Sequence, residues 1–145
     1  MKVLIQIFAI ALLVMSHFSQ ASLIVNGGFE EAHVRDGHWA WFESSKVNGW
    51  NGSNIEIWDD LFKFSSFEGE QHAELNAHGS RGPFSIFQTF STDVGRWYHV
   101  SFAYAARRSL NESFRFDVLD GIKKDNVLFS SVIDDHEIRN WFTFS

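Results

Sequence analysis

The chain has 145 residues, a formal net charge of -6 at pH 7 and no cysteine. Scattered arginines in an acidic chain argue against nucleic-acid binding, and without cysteine there can be no disulfide framework, so stability must come from packing or a bound metal. Sixteen phenylalanines and six tryptophans beside a single proline are typical of β-proteins whose aromatic residues fill a core or line a ligand surface.

The N-terminal 21 residues predict an export signal. Lys2 is a basic start, residues 3–15 (VLIQIFAIALLVM) are an apolar core, and Ser19–Ala21 places small residues before a cleavage site. An apolar core of about 13 residues is shorter than the roughly 20 that span a bilayer. We therefore expect a signal peptide over residues 1–21, no membrane span, and one secreted or periplasmic domain over residues 22–145.

Short alternating runs, rather than helical periods, follow the signal. In chain order they are SLIVN, NIEIW, QHAELNA, FSIFQTF, WYHVSFAYA, SFRFDVLDG, NVLFSSVI and NWFTFS. Turn sequences rich in Asn, Asp and Gly separate them, among them NGG, NGWNGS, DVG and LDG. About eight short strands with turns between them predict an all-β fold, specifically an antiparallel β-sandwich or jelly roll.

Period-two alternation assigns faces in three of these runs. In NIEIW, Ile55 and Ile57 share one face, so Glu56 and Trp58 share the other. In QHAELNA the same alternation predicts an inner face formed by Ala73 and Leu75 and an outer polar face formed by His72, Glu74 and Asn76. In WYHVSFAYA the predicted core residues are Tyr98, Val100, Phe102 and Tyr104.

Three further tryptophans fall in long opening segments that we predict to be loops. Trp39 and Trp41 in DGHWAWFESS are two residues apart, so in an extended chain their indoles would lie side by side and could stack on a glycan. The alternative is that one or both close the end of the core. For Trp50 in NGWNGS we favour core packing.

Five ordered motifs give the chain a family resemblance. They are SLIVNGGFEE, VNGWNGSNIEIWDD, GEQHAELNAHG, SIFQTFSTDVGRWYHVSFAYAARR and NESFRFDVLDG. Together they resemble the DUF642-like, galactose-binding-domain-like secreted β-sandwich proteins, which are similar to carbohydrate-binding modules. The resemblance implies a non-catalytic module for carbohydrate binding or adhesion.

The resemblance also implies a metal site and a last strand. Glu30 matches the position of a glutamate that holds a structural Ca²⁺ in related sandwiches, together with an acid on a final strand. That strand would follow NWFTFS, whereas this sequence ends at Ser145. Two alternatives stay open: the strand is dispensable, or the sequence is truncated and has an open sheet edge prone to self-association.

The sequence thus predicts a site that recognises an extracellular polysaccharide or glycan. Aromatic plates would stack on the sugar, and carboxylate, amide or imidazole groups would bind its hydroxyls. The predicted ligand-binding residues are Trp39, Trp41, Glu56, Trp58, His72, Glu74 and Asn76. The alternative for the two glutamates is pairing with arginines such as Arg81 or Arg107.

The sequence also bears on two other classes of function. Glu56 and Glu74 could serve glycoside hydrolysis as acid and base, but a small sandwich offers little cleft and no nucleophile elbow or zinc motif is present, so we expect no catalysis. A structural or adhesive surface protein without sugar specificity is the alternative to the carbohydrate-binding module.

Overall fold

The computed structural model describes residues 22–79, 82, 84–122 and 126–145. Within these ranges the chain is built of short β-strands and two single-turn 3₁₀ helices, Ser44–Lys46 and Leu61–Lys63. The strands are β1 His38–Phe42, β2 Asn51–Gly52, β3 Ile55–Asp59, β4 Gln71–Glu74, β5 Ile86–Phe87, β6 Phe102–Tyr104, β7 Phe114–Leu119, β8 Val127–Ile133 and β9 Phe142–Phe144. The predicted signal peptide lies outside the described residues.

The strands pair antiparallel throughout. β1, β3 and β4 form a three-stranded sheet with β3 in the middle, and β2–β5, β6–β9 and β7–β8 form two-stranded pairs. The prediction of an all-β antiparallel chain is therefore confirmed. Among the described residues, no helix is long and apolar enough to cross a membrane.

An aliphatic core lies against one face of the three-stranded sheet. Val34, Val47, Ile55 and Ile57 are buried there. Ala40 and Phe42 of β1 and Ala73 of β4 pack around them because strictly alternating positions of paired strands reach the same face. Trp50 packs on this core and stacks on Phe29, as the sequence predicted.

A second, aromatic cluster joins the two strand pairs of the C-terminal half. Phe102 stacks on Phe144 across the β6–β9 pair, with ring centroids 5.0 Å apart, and lies 5.1 Å from Phe116 of β7. The half-buried phenylalanines of SFRFDVLDG and NWFTFS therefore pack on one another between the strand pairs, which explains part of the heavy aromatic composition.

Four strand predictions differ from the structure. FSIFQTF contributes only the two-residue strand Ile86–Phe87, and Leu75, predicted to point inwards, is exposed beyond the end of β4. SLIVN forms bends and a turn, with Asn26 at φ 50°, and the predicted loop HWAWF is instead β1. In WYHVSFAYA only Phe102–Tyr104 is a strand, and Tyr98 and Val100, expected in the core, are exposed. Alternation within a segment does not show whether a neighbouring strand pairs with it and covers it.

Candidate functional site

Six of the seven predicted ligand-binding residues share one face of the three-stranded sheet. The strand register sets Trp39 of β1 opposite Trp58 of β3, which is opposite His72 of β4. The neighbouring row is formed in the same way by Trp41, Glu56 and Glu74. Directly opposed residues of antiparallel strands project to the same side, so these two rows form the face opposite the aliphatic core.

In both rows the exposure of the side chains falls from β1, at one edge of the sheet, to β3 in the middle. On the edge strand, Trp39 and Trp41 are 41% and 46% exposed. On the central strand, Trp58 and Glu56 are only 3% and 2% exposed, because side chains from the loops and the C-terminal half cover them. The predicted site residues are thus brought together, but only those on β1 offer a ring surface to a ligand.

Glu56 is a buried carboxylate with three hydrogen bonds. Its Oε1 accepts from Trp58 Nε1 at 2.7 Å, and its Oε2 accepts from the His78 backbone N–H at 3.1 Å and contacts His78 Nδ1 at 2.8 Å. Burial raises the pKa of Glu56, but the hydrogen bonds from Trp58 and His78 outweigh it and the pKa lies below its ordinary value. Glu56 is therefore an ionised anchor for the loop at His78.

Glu74 pairs with an arginine, which is the alternative to sugar binding that the sequence left open for this residue. Arg107 Nη1 lies 3.4 Å from Glu74 Oε2, and the Arg107 guanidinium lies 5.8 Å from the centre of the Trp58 ring. Burial raises the pKa of Glu74, and the Arg107 charge offsets this only in part. The other arginine considered, Arg81, lies outside the described residues.

His72 lies in an aromatic cage on the same face. Its ring contacts Trp58, Phe64 and Trp141, and its Nδ1 lies 2.9 Å from Ser66 Oγ. Burial lowers the pKa of His72 from 6.5 to about 4. The imidazole is therefore neutral at physiological pH and acts as a packing group.

Acidification is expected to weaken the fold through His72. Its folded-state pKa lies below the unfolded value, so the unfolded state binds the proton more readily and the free energy of unfolding falls as pH drops from 6.5 towards 4. His72→Phe, which keeps a ring in the cage, should be more stable than the wild type near pH 4. Urea unfolding at both ends of this pH range measures the difference.

A matched control for this experiment is the exposed His99. His99→Phe should lose stability on acidification as the wild type does, because it leaves the buried His72 in place. An equal loss of stability on acidification in the wild type and His72→Phe would show that His72 is not responsible.

An open aromatic surface lies at the β1 edge of the face. The His78 ring packs on Trp39 with centroids 4.7 Å apart, and a Cβ built on the adjacent Gly79 would lie 3.6 Å from Cζ2 of Trp41. The His78 side chain is 64% exposed. We call Trp39, Trp41 and His78 the tryptophan platform.

Sequence reasoning did not single out His78, because it follows β4 outside the alternating run. In the sequence, His78 can be recognised only as a histidine two residues after Asn76, which is the last residue of the predicted polar face. Asn76, the seventh predicted ligand residue, is exposed in the turn between β4 and His78.

Glu30 ties the N-terminal segment to the start of β4. Its Oε1 accepts hydrogen bonds from the backbone N–H groups of Glu70 and Gln71 at 2.9 and 3.0 Å. A Cβ on Gly69, which has φ +66°, would overlap the same oxygen, so glycine is required for this approach. The calcium role of Glu30 stays a prediction, and one of its oxygens already binds the backbone.

A comparison of the chain with protein-family models, curated proteins and solved structures gives no match. What the structure itself defines is an all-β antiparallel chain with a polar, aromatic face that is covered on its central strand and open at one edge.

Proposed function

We propose that this chain is a secreted, non-catalytic module that binds an extracellular polysaccharide or glycan on the tryptophan platform. The observation that carries the proposal is the exposure of Trp39 and Trp41 on one face of β1, beside a histidine held in place by a buried carboxylate. Two residues along a strand place two indoles about 7 Å apart, a spacing suited to an extended sugar chain.

The proposed chemistry divides recognition between stacking and hydrogen bonding. The indoles would bind the apolar faces of pyranose rings, and the exposed edge of His78 and the amide of Asn76 would bind hydroxyls. Glu56 would act as a positioning residue because it holds His78 without being open to solvent. Trp58, His72 and Glu74 lie beside the platform on the same face and would support it by packing rather than by contacting the sugar.

The partners of the two glutamates favour a binding role over hydrolysis. Glu56 is held by Trp58 and His78, and Glu74 lies against Arg107. A general acid or base must reach the scissile bond directly. The resemblance to galactose-binding-like sandwiches points to the same non-catalytic class, and a jelly-roll arrangement of the strand pairs is part of this proposal.

Removing either platform indole should weaken glycan binding by about tenfold, equivalent to about 1.4 kcal/mol. The experiment begins with a glycan array and continues with calorimetric titration of the best ligand into the wild type, Trp39→Ala and Trp41→Ala. Trp97→Ala is the matched control, because Trp97 is 99% exposed and lies outside the platform. Wild-type affinity in both platform variants would contradict the proposal.

A structural or adhesive role is the second candidate, and a different surface favours it. Leu128 and Val132 alternate on one face of β8 and are strongly exposed, and within the described residues β8 pairs only with β7. Exposed apolar residues on an edge strand are suited to association with another chain. Sedimentation that shows self-association unaffected by sugar, together with an array that shows no glycan bound, would favour this role.

A further inference from the structure

A second polar feature lies at the opposite end of β3 from Glu56. Asp36, Asp59 and Asp60 each place a carboxylate oxygen within 4.8 Å of the other two. These aspartates line a cleft of about 480 Å³ whose wall also includes His33 and Ser65. Antiparallel pairing brings the group together, because His38, two residues after Asp36, lies opposite Asp59.

Asp59 distinguishes this group from an ordinary cluster of surface acids. The residue is 6% exposed, its carboxylate faces the cleft, and no described residue donates a hydrogen bond to that carboxylate or forms an ion pair with any of the three aspartates. The nearby Arg35 side chain is turned to His38 instead. The Asp59 oxygens open only into the cleft, so they depend on water or on a bound cation there for their partners.

The electrostatic environment of Asp59 agrees with this geometry. Burial raises the pKa of Asp59, and the neighbouring charges of Asp36, Glu70 and Asp60 raise it further, while His33 opposes them. Like charges held this close repel one another in the absence of a cation. The cleft is therefore a local excess of negative charge at the end of a buried strand.

We propose that Asp36, Asp59 and Asp60 bind a calcium ion that stabilises the end of the three-stranded sheet. Calcium takes six to eight oxygen ligands at about 2.3–2.6 Å, so oxygens on one ion can lie up to about 5 Å apart. Three carboxylates supply up to six oxygens, the Ser65 hydroxyl lines the same cleft, and water can complete the shell. Oxygen ligands alone favour calcium over softer metals.

This site differs from the one at Glu30 that the family resemblance implies. Glu30 lies outside the group of three aspartates, and its Oε1 is already engaged by two backbone N–H groups. The ion would cross-link β3 to the segment before β1, which would explain how a chain without cysteine secures this end of the sheet.

The test is thermal unfolding and calorimetry of metal-free protein, with no sugar present. Calcium at about 5 mM should raise the Tm by about 4 °C, since extracellular calcium modules have dissociation constants of about 0.1–1 mM. Asp59→Asn should abolish that shift and lower calcium affinity at least about tenfold, while raising the Tm in EDTA because it removes a buried, repelled charge. Magnesium at the same concentration should have a smaller effect.

Two further variants make the result specific. Asp36→Asn, at an exposed position, should also lose the calcium shift, and it serves if Asp59→Asn does not fold. Asp134→Asn changes an exposed aspartate outside the cleft and should behave as the wild type. Glu30→Gln should keep calcium binding while losing stability.

Three results would overturn the calcium site: no calcium shift in the wild type, an unchanged shift in both aspartate variants, or loss of binding only in Glu30→Gln. Because no glycan enters the experiment, its failure would leave the proposed carbohydrate-binding role of the tryptophan platform unaffected.

Discussion

Replacing Glu56 with alanine is expected to lower the free energy of unfolding by about 3 kcal/mol. The variant would leave the buried Trp58 Nε1–H and the part-buried His78 backbone N–H without their acceptor. A fully buried unsatisfied donor costs about 1–3 kcal/mol, and we expect less for His78. The variant also removes the buried charge of Glu56, and this gain offsets part of that cost. Urea unfolding near neutral pH measures the difference.

Glu56→Gln and Glu68→Ala separate the possible causes. Glutamine keeps the shape but offers one acceptor oxygen where the carboxylate uses two, so we expect an intermediate loss of stability. Glu68 is exposed, and Glu68→Ala should leave stability nearly unchanged. If Glu56→Ala were as stable as the wild type, Glu56 would not anchor the loop at His78, and its positioning role in the platform would be lost as well.

The second large effect is expected at Arg107. Arg107→Met should lower the free energy of unfolding by about 2 kcal/mol near pH 7, because it leaves Glu74 without its counter-charge in a largely buried position. Removal of one partner from a fully buried ion pair costs about 3–5 kcal/mol. We expect a smaller loss here because the Arg107 side chain is 26% exposed. Methionine keeps apolar contact with Trp58.

The loss in Arg107→Met should shrink in acid. Burial holds the folded-state pKa of Glu74 above its ordinary value of 4.5, so the ionised carboxylate weakens folding at neutral pH and a protonated one does not. Arg115→Met is the control, since Arg115 pairs with Asp117 at the surface and should change stability little. A deficit in Arg107→Met that is constant from pH 7 to pH 4 would point to lost packing rather than to the ion pair.

Alternation in the sequence was sufficient to predict the two faces of β3. Ile55 and Ile57 lie in the aliphatic core and Glu56 and Trp58 on the other side, because period-two geometry does not depend on what pairs with the strand. Burial of both faces could not be predicted in this way. It follows from the central position of β3 and from Arg107 and other groups packed above it.

The sequence did not predict which strands lie next to one another. HWAWF was predicted to lie in a long opening loop, yet pairing with β3 makes it a strand and places Trp39 and Trp41 on the candidate site. The same pairing gathers Asp36 with Asp59 and Asp60, which are more than twenty residues apart in the chain. Both features depend on which strands pair with one another, and alternation within a single strand does not reveal its partner.

The double burial of β3 also bears on how this chain avoids misfolding. A slip of one residue along the strand would drive the Glu56 carboxylate among Val34 and Val47 and turn Ile57 towards His78. Both errors are severe, so neighbouring registers of this strand are strongly disfavoured. The glutamate between two isoleucines therefore specifies the register of β3, independently of any ligand.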